Sequence, residues 1–169
     1  MEFFDLIKSR YSCRNFTSKP VEDEKLTKIL EAARVAPTAK NAQPVKIWVF
    51  KSNDSLEKIR TVTPCHFNAP VILAVGGTKD GAFVRSDGRN YEDVDASIVA
   101  THLMLAVHDL GLGSTWVGFF EADKLKEFFP EMKDFDLVAL FPIGYPANDS
   151  QPSDRHSIRK NLDEIVKYL

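Results

Sequence analysis

Residues 93–119 read DVDASIVATHLMLAVHDLGLGSTWVGF and contain the longest helical pattern of the chain. In the segment 93–110, apolar side chains fall on nearly every side of a helix, which is typical of a helix buried in the middle of a domain. Gly111 then supplies the left-handed residue at which helices commonly end. Residues 114–119 follow with β-branched and aromatic side chains that predict a strand. A buried helix that leads into a strand predicts a domain whose helices and sheet share one core.

Shorter patterns on both sides of this segment alternate between helix and strand. The clearest is the amphipathic stretch 21–36, which Pro37 ends. Asn53 or Asp54 is predicted to cap a brief third helix. In chain order we expect a short helix around 3–7, helix 21–36, strand 46–50, the brief helix, strand 71–75, a loop at 76–90, helix 93–110, strand 114–119, helix 122–129, strand 137–144 and an extended tail at 145–169. This order predicts an α+β domain of about four strands with helices against it.

Length and composition narrow the class of protein. With 169 residues, 44% of them apolar, the chain is predicted to form a single domain over 1–169 with a sizeable core. Lys and Arg number 22 against 24 Asp and Glu, and this balance argues against a nucleic-acid partner. The most apolar run, 96–107, falls short of the ~20 residues that a membrane helix needs. Because no secretory pattern opens the sequence, we expect a cytoplasmic protein with no membrane partner.

Residue spacing argues against the common metal and nucleophile motifs. Cys13 and Cys65 lie far apart, and the four histidines show neither HxxxH nor HExxH spacing. Neither GxSxG nor a P-loop pattern is present. We therefore expect no metal site, two reduced thiols, and chemistry carried by an organic cofactor.

Two basic clusters contain side chains suited to anions. In residues 9–16, SRYSCRNF, Arg10 and Arg14 flank the hydroxyl of Ser12, a combination that suits phosphate or carboxylate oxygens. A solvated helix end that pairs with nearby acids would have the same sequence. The second cluster, RHSIRK at 155–160, adds positive charge to the tail and is equally consistent with a solvated stretch.

Two further clusters are loops rich in small residues. Residues 36–44, APTAKNAQP, hold the amides of Asn41 and Gln43, which offer donors and acceptors to the edge of a heteroaromatic ring. Ordinary turn chemistry would also use these residues. Residues 111–119, GLGSTWVGF, allow close backbone approach at their glycines, although a helix end followed by a strand explains them equally. Neither loop alone identifies a ligand.

In this order, however, SRYSCRNF, APTAKNAQP, GLGSTWVG and GYPA followed by IRKNLDEIV resemble the nitroreductase family of flavoproteins over nearly the whole chain. The resemblance implies an α+β fold with a central, mostly antiparallel sheet of four to five strands flanked by helices. It also implies an obligate homodimer with FMN at the interface and a C-terminal tail that reaches the partner subunit.

The resemblance assigns particular residues to the flavin. Arg10, Ser12 and Arg159 match positions that hold the ribityl phosphate. Arg14 matches a basic position near the pyrimidine edge, where positive charge tunes the flavin by favouring the anionic reduced ring. No catalytic side chain is expected beyond the flavin. The expected FMN contacts are Arg10, Tyr11, Ser12, Arg14, Pro37, Thr38, Ala39, Asn41, Gln43, Trp116, Val117, Gly118 and Arg159. Of these, the loop 37–41 matches one donated by the partner subunit, and the backbone of 116–119 matches groups beside flavin N5 and O4.

The resemblance also implies a reaction. In such proteins NADH or NADPH passes hydride to flavin N5 and leaves, and an electron-poor small molecule such as a nitro compound or quinone then takes its place, in ping-pong order. In the family, Arg or His is common at the position of Tyr11, and Pro often follows the basic pair of the tail at the position of Asn161. Both departures bear on FMN affinity. The alternatives are a dehalogenase or dehydrogenase of the same fold, a non-catalytic FMN-binding or storage protein, and an interaction domain without a cofactor.

Overall fold

The computed structural model describes residues 2–169. The strands within these residues are β1 (Val45–Phe50), β2 (Val71–Gly77), β3 (Gly113–Ser114) and β4 (Asp136–Gly144). The α-helices are α1 (Phe3–Ser9), α2 (Asp23–Arg34), α3 (Asn53–Val62), α4 (Glu92–Asp109), α5 (Ala122–Phe128) and α6 (Leu162–Ile165), with 3₁₀ turns at Ala39–Asn41, Pro64–His66, Pro130–Met132 and Asp154–His156. The strands pair antiparallel in the order β1–β2–β4–β3, which confirms the predicted α+β fold.

Helices cover both faces of this sheet. Side chains along β2 and β4 alternate between the faces, as the two-residue period of a strand requires. Leu73 and Phe141 belong to the core formed with α2 and α4, while Ala74 and Leu140 belong to the core formed with α3 and α5. Every residue of β2 is buried, and this two-sided burial explains why the strand is wholly apolar.

The long helix α4 has the buried place that its sequence predicts. It packs against α2 and lies across β1, β2 and β4. Ala96, Ala100, Leu103 and Val107 recur at helical spacing and are fully buried. The start of the helix meets β2 closely, because a Cβ at Gly77 would lie 2.3 Å from the carbonyl oxygen of Glu92.

The predicted strand at 114–119 is confirmed only in part. β3 ends after two residues, and Val117 makes an isolated pair with Leu140 in the same register. In that register Thr115 lies opposite Pro142. Pro142 faces β3 from the same edge of β4 as Leu140, whose N–H donates to the Val117 carbonyl. Because proline has no N–H to donate, the ladder is interrupted between its two ends.

Two smaller expectations are corrected. The glycines 76–77 do not begin a loop but continue β2, because they pair with the first two residues of β1. The cap of α3 is Ser52 instead of Asn53 or Asp54, since the Ser52 hydroxyl accepts a hydrogen bond from the Ser55 N–H. Among residues 2–169, no helix has both the length and the hydrophobicity needed to cross a bilayer.

Candidate functional site

The first basic cluster lies along the outer edge of β3. Ser12 forms a parallel bridge with Ser114, and the Cys13 N–H donates to the Ser114 carbonyl at 2.9 Å. Gly113 permits this approach, since a Cβ there would lie 2.7 Å from the Cβ and Sγ atoms of Cys13. The polar segment around Ser12 is therefore fixed to the sheet by its backbone.

The tail that follows β4 returns along this same segment. The Asn15 amide donates to Asp149 at 2.9 Å. The Tyr11 hydroxyl lies 3.4 Å from the Ser150 carbonyl and 3.3 Å from the Ser150 hydroxyl. Tyr11 thus holds the tail, and these contacts bring residues 153–159 over the end of α1.

Basic side chains from distant parts of the chain meet in one cleft of about 200 Å³. We call it the arginine cleft, and its lining residues are Arg10, Tyr11, Ser12, Arg14, Ser153, Arg155, His156 and Arg159. His156 ties the tail to the end of α1, because its Nε2 atom lies 3.2 Å from the Lys8 carbonyl oxygen. The structure thus places five of the expected FMN contacts around one space, namely Arg10, Tyr11, Ser12, Arg14 and Arg159.

The arginines of this cleft have no acidic partner in an ion pair among residues 2–169. The ion pairs found among residues 2–169 involve none of its four arginines. Arg14 donates to the Ser12 carbonyl at 3.3 Å, and Arg159 donates to the Ile158 carbonyl at 2.7 Å. The pKa of Arg10 is lowered mainly by partial burial and to a lesser extent by the positive charge of Arg159. A bound anion would relieve this repulsion and supply the hydrogen bonds that the guanidiniums lack.

The second cluster forms a loop, residues 37–43, held at the start of α4. The Ala39 N–H donates to Asp95 Oδ1 at 2.8 Å. Within the loop, the Gln43 N–H donates to the Thr38 hydroxyl at 3.0 Å, and the Gln43 side chain donates to the Asn41 carbonyl at 3.3 Å. Thr38 and Ala39 are half-buried, and the exposed members of the predicted set are Pro37, Asn41 and Gln43. The loop therefore has a defined shape and presents two amides to its surroundings.

The third cluster, residues 111–119, contributes a partly exposed aromatic ring and an accessible stretch of backbone. Trp116 remains 37% exposed while its ring packs edge-on against Phe141, with the centroids 5.1 Å apart. Val117 is buried and exchanges two backbone hydrogen bonds with Leu140. At Gly118 a Cβ would meet no atom within 4 Å, so the backbone there is accessible.

Within one chain the loop 37–43 and the arginine cleft lie at opposite ends of α4. The loop bonds to Asp95 in the first turns of the helix. At the other end His108 Nε2 lies 3.0 Å from the Ser9 hydroxyl. The pKa of His108 is lowered mainly by burial and to a lesser extent by the positive charge of Arg10. About 20 Å of helix separates the two contacts at 1.5 Å per residue. One chain therefore does not bring all the expected FMN contacts together.

Three lining residues of the arginine cleft lie outside the predicted set: Ser153, Arg155 and His156. The basic stretch 155–160 predicts local charge but not which side chains face inward. Arg155 and His156 belong to a single 3₁₀ turn, Asp154–His156, and the sequence holds no local signal for their common cleft.

The structure is thus an α+β domain with a basic cleft beside its edge strand β3, and the arginines of this cleft are chemically suited to an anion. A sequence model of the nitroreductase family matches residues 7–66 and 64–145. The chain belongs to the nitroreductase family, as its motifs imply, and the expectation of an oxidoreductase of this family is confirmed.

Curated relatives cover most of the chain. A protein of Methanothermobacter thermautotrophicus, provisionally named NADH dehydrogenase/NAD(P)H nitroreductase, is 30% identical over 91% of this chain and 82% of its own. Iodotyrosine deiodinase 1 of Rattus norvegicus is 24% identical over 98% of this chain and 68% of its own.

Solved structures share the fold along the whole chain. A nitroreductase family protein of Clostridium difficile 630 is 38% identical with a TM-score of 0.92, covering 99% of this chain and 98% of that one. A protein of Desulfovibrio desulfuricans, provisionally a nitroreductase and solved in complex with FMN, is 25% identical with a TM-score of 0.84, covering 100% of this chain and 97% of that one.

Proposed function

We propose that this chain forms a homodimer that binds FMN between its subunits and acts as an oxidoreductase. FMN, when bound, supplies a ring that takes hydride at N5 from NADH or NADPH and delivers it, in ping-pong order, to a nitro compound, a quinone or a similar electron-poor acceptor. Membership of the nitroreductase family supports this proposal, as do the name of the Methanothermobacter protein and the FMN complex of the Desulfovibrio protein.

The arginine cleft is the observation that carries the proposal. A flavin mononucleotide ends in a phosphate, whose oxygens suit the forked donors of Arg10 and Arg159 and the hydroxyl of Ser12. These groups lie in one cavity whose arginines have no acidic partner in an ion pair among residues 2–169. The residues present therefore fit the phosphate end of the cofactor.

Arg14 and the third cluster are suited to the ring end. Arg14 is exposed, and its bond to the Ser12 carbonyl holds it beside the phosphate residues. We assign it to the pyrimidine edge, where its charge favours the negative charge of the reduced ring. The open backbone at Gly118 would allow close approach of flavin N5 and O4, and Trp116, two residues earlier, is 37% exposed.

A second subunit completes this arrangement. Because α4 keeps the loop 37–43 about 20 Å from the arginine cleft of its own chain, we assign the loop to the flavin of the partner. The tail exposes a row of apolar side chains that needs a cover, namely Ile158, Leu162, Ile165 and Val166. Docking of the tail on the partner would remove this apolar surface from water.

The visible absorption spectrum tests the proposal. Purified protein with added FMN should show a protein-bound flavin band that bleaches anaerobically with NADH or NADPH and returns with a nitroaromatic or a quinone. A chain that binds no flavin, or whose flavin neither nucleotide reduces, would contradict it. Arg14→Ala should lower flavin retention and slow reduction, whereas Lys58→Ala, on α3 at the other face of the sheet, should change neither.

The rat relative favours a second candidate, a reductive dehalogenase of the same fold. Adding an iodinated tyrosine to the reduced protein separates the two, since only a dehalogenase would reoxidise the flavin with release of iodide. A flavin-storage protein would bind FMN but show negligible turnover with any of these acceptors.

A further inference from the structure

The loop 37–43 has an unfavourable backbone that needs support. Lys40, Asn41 and Gln43 adopt left-handed φ angles of 54°, 55° and 53°. Residues with a Cβ rarely adopt this region, and clusters of such residues occur where the surrounding structure imposes them, often at ligand sites. Three of the four residues 40–43 are thus left-handed, and we infer that contacts from outside the loop stabilise this conformation.

Asp95 supplies support from outside the loop. Its side chain is 99% buried, with 1% exposure, near the start of an 18-residue helix. Its Oδ1 atom accepts the Ala39 N–H at 2.8 Å, one residue before the left-handed positions begin. The positive end of the α4 dipole favours a carboxylate at this place. The loop is thus joined to the longest helix of residues 2–169 through one charge-assisted hydrogen bond.

The bond is mutual, because the carboxylate also needs the loop. Asp95 Oδ2 is buried and has no hydrogen-bond partner among residues 2–169. If the loop withdrew the Ala39 N–H, the buried carboxylate would keep no partner at either oxygen until water entered. The loop conformation and the buried carboxylate therefore stabilise each other.

We propose that Asp95 is a positioning residue for flavin binding. It acts through the Ala39 N–H to hold the exposed amides of Asn41 and Gln43 in the arrangement that receives the flavin ring. This inference rests on the proposed function, which assigns the loop to a flavin, but the bond to Asp95 can be tested without one.

Two substitutions remove the bond from opposite sides. Asp95→Ala removes the acceptor. Ala39→Pro removes the donor and puts a ring carbon where the amide hydrogen was, so the Asp95 carboxylate must turn away from the loop. The backbone admits proline there, because residue 39 opens a 3₁₀ turn after Thr38 at φ −130° and ψ 156°. Asp95→Asn retains an oxygen that can accept the Ala39 N–H. Asp93→Ala is the matched control, since Asp93 is exposed in the first turn of the same helix.

The measurements are amide hydrogen exchange of residues 37–43 without flavin, and FMN affinity with the visible circular dichroism of the bound ring. Asp95→Ala and Ala39→Pro should each lose protection at 37–43, weaken FMN about tenfold and alter the ring spectrum, as expected for one lost hydrogen bond. Asp95→Asn should restore both properties to within about threefold of the wild type, and Asp93→Ala should match the wild type.

Several outcomes would overturn the inference. Unchanged protection in both bond-removing variants would show that Asp95 does not hold the loop. Lost protection with unchanged FMN affinity and ring spectrum would show that the loop shape does not serve the flavin, even if the unfolding temperature falls. A wild-type protein that binds no FMN would refute the proposed function, and the flavin-free exchange data would still show whether Asp95 holds the loop.

Discussion

Replacing Arg10 by methionine should weaken FMN binding and at the same time stabilise the flavin-free protein. Arg10 is half-buried, bears no ion pair to the acidic residues of 2–169, and has its pKa lowered by burial and by Arg159. Its charged form is therefore disfavoured in the folded chain until an anion arrives. Methionine keeps most of the apolar stem and removes only the charged head.

The two effects differ in size. A hydrogen bond to a charged group contributes about 1.5–3 kcal/mol, so loss of the Arg10 contact should raise the FMN dissociation constant about 10- to 100-fold. Removing an unpaired, partly screened charge should raise the free energy of unfolding by about 0.5–1 kcal/mol. For a domain of this length the gain corresponds to roughly 1–4 °C in the unfolding temperature.

Fluorescence titrations with FMN and with riboflavin, together with thermal unfolding of the flavin-free protein, measure both effects. Riboflavin has the same ring without the phosphate, so its affinity should be the same for Arg10→Met and the wild type. Lys58→Met on α3 is the control for loss of a cationic side chain. Equal weakening of FMN and riboflavin would refute the assignment of Arg10 to the phosphate. A lower unfolding temperature without flavin would refute the inference that the unpaired charge of Arg10 destabilises the flavin-free protein.

Three other changes have clear expected results. The hydrogen bond from the Tyr145 hydroxyl is the main cause that lowers the pKa of Glu22 to about 2. The free energy of unfolding lost in Tyr145→Phe should therefore be constant above pH 4.5 and should shrink as the pH falls from 4.5 towards 2. Urea titrations measure this difference, and a difference that grows in acid would contradict the assignment. Gly113→Ala should lower the free energy of unfolding by about 1–3 kcal/mol because its Cβ would collide with Cys13, whereas Gly118→Ala should change it by less than about 0.5 kcal/mol, as measured by urea denaturation. Ending the chain after Arg159 should convert the dimer to monomer in sedimentation, because it removes the exposed Leu162, Ile165 and Val166; a truncated chain that stays dimeric would show that the tail is not needed.

Most elements of the fold could be predicted because their signals are local. The apolar stripe of α2 and the apolar residues on nearly every side of α4 are each visible within a single segment. The interruption of the strand at 114–119 could not be predicted, because its cause, Pro142, lies in another strand. Its effect on residue 115 follows only from the register between the two strands. The continuation of β2 through Gly76 and Gly77 likewise depends on pairing with β1.

The candidate site was less accessible to sequence reasoning. Arg10, Ser12 and Arg159 could be named through the family resemblance, yet their residue types alone are equally consistent with solvated charge. Arg155 and His156 were not assigned because facing a common cleft is a property of the folded tail. Asp95 carried no signal either, since a single acid in the first turns of a helix ordinarily stabilises the helix dipole.

The arginine cleft also has a consequence for how the chain folds. It is built by segments near opposite ends of the sequence, with His156 and Lys8, 148 positions apart, in direct contact. Because contacts of such long range close a large loop of chain, we expect them to form after the local helices and the inner strands. The cofactor would then be a ligand of the nearly finished domain and not a template for its assembly. Added FMN should accordingly leave the refolding rate unchanged and slow unfolding instead.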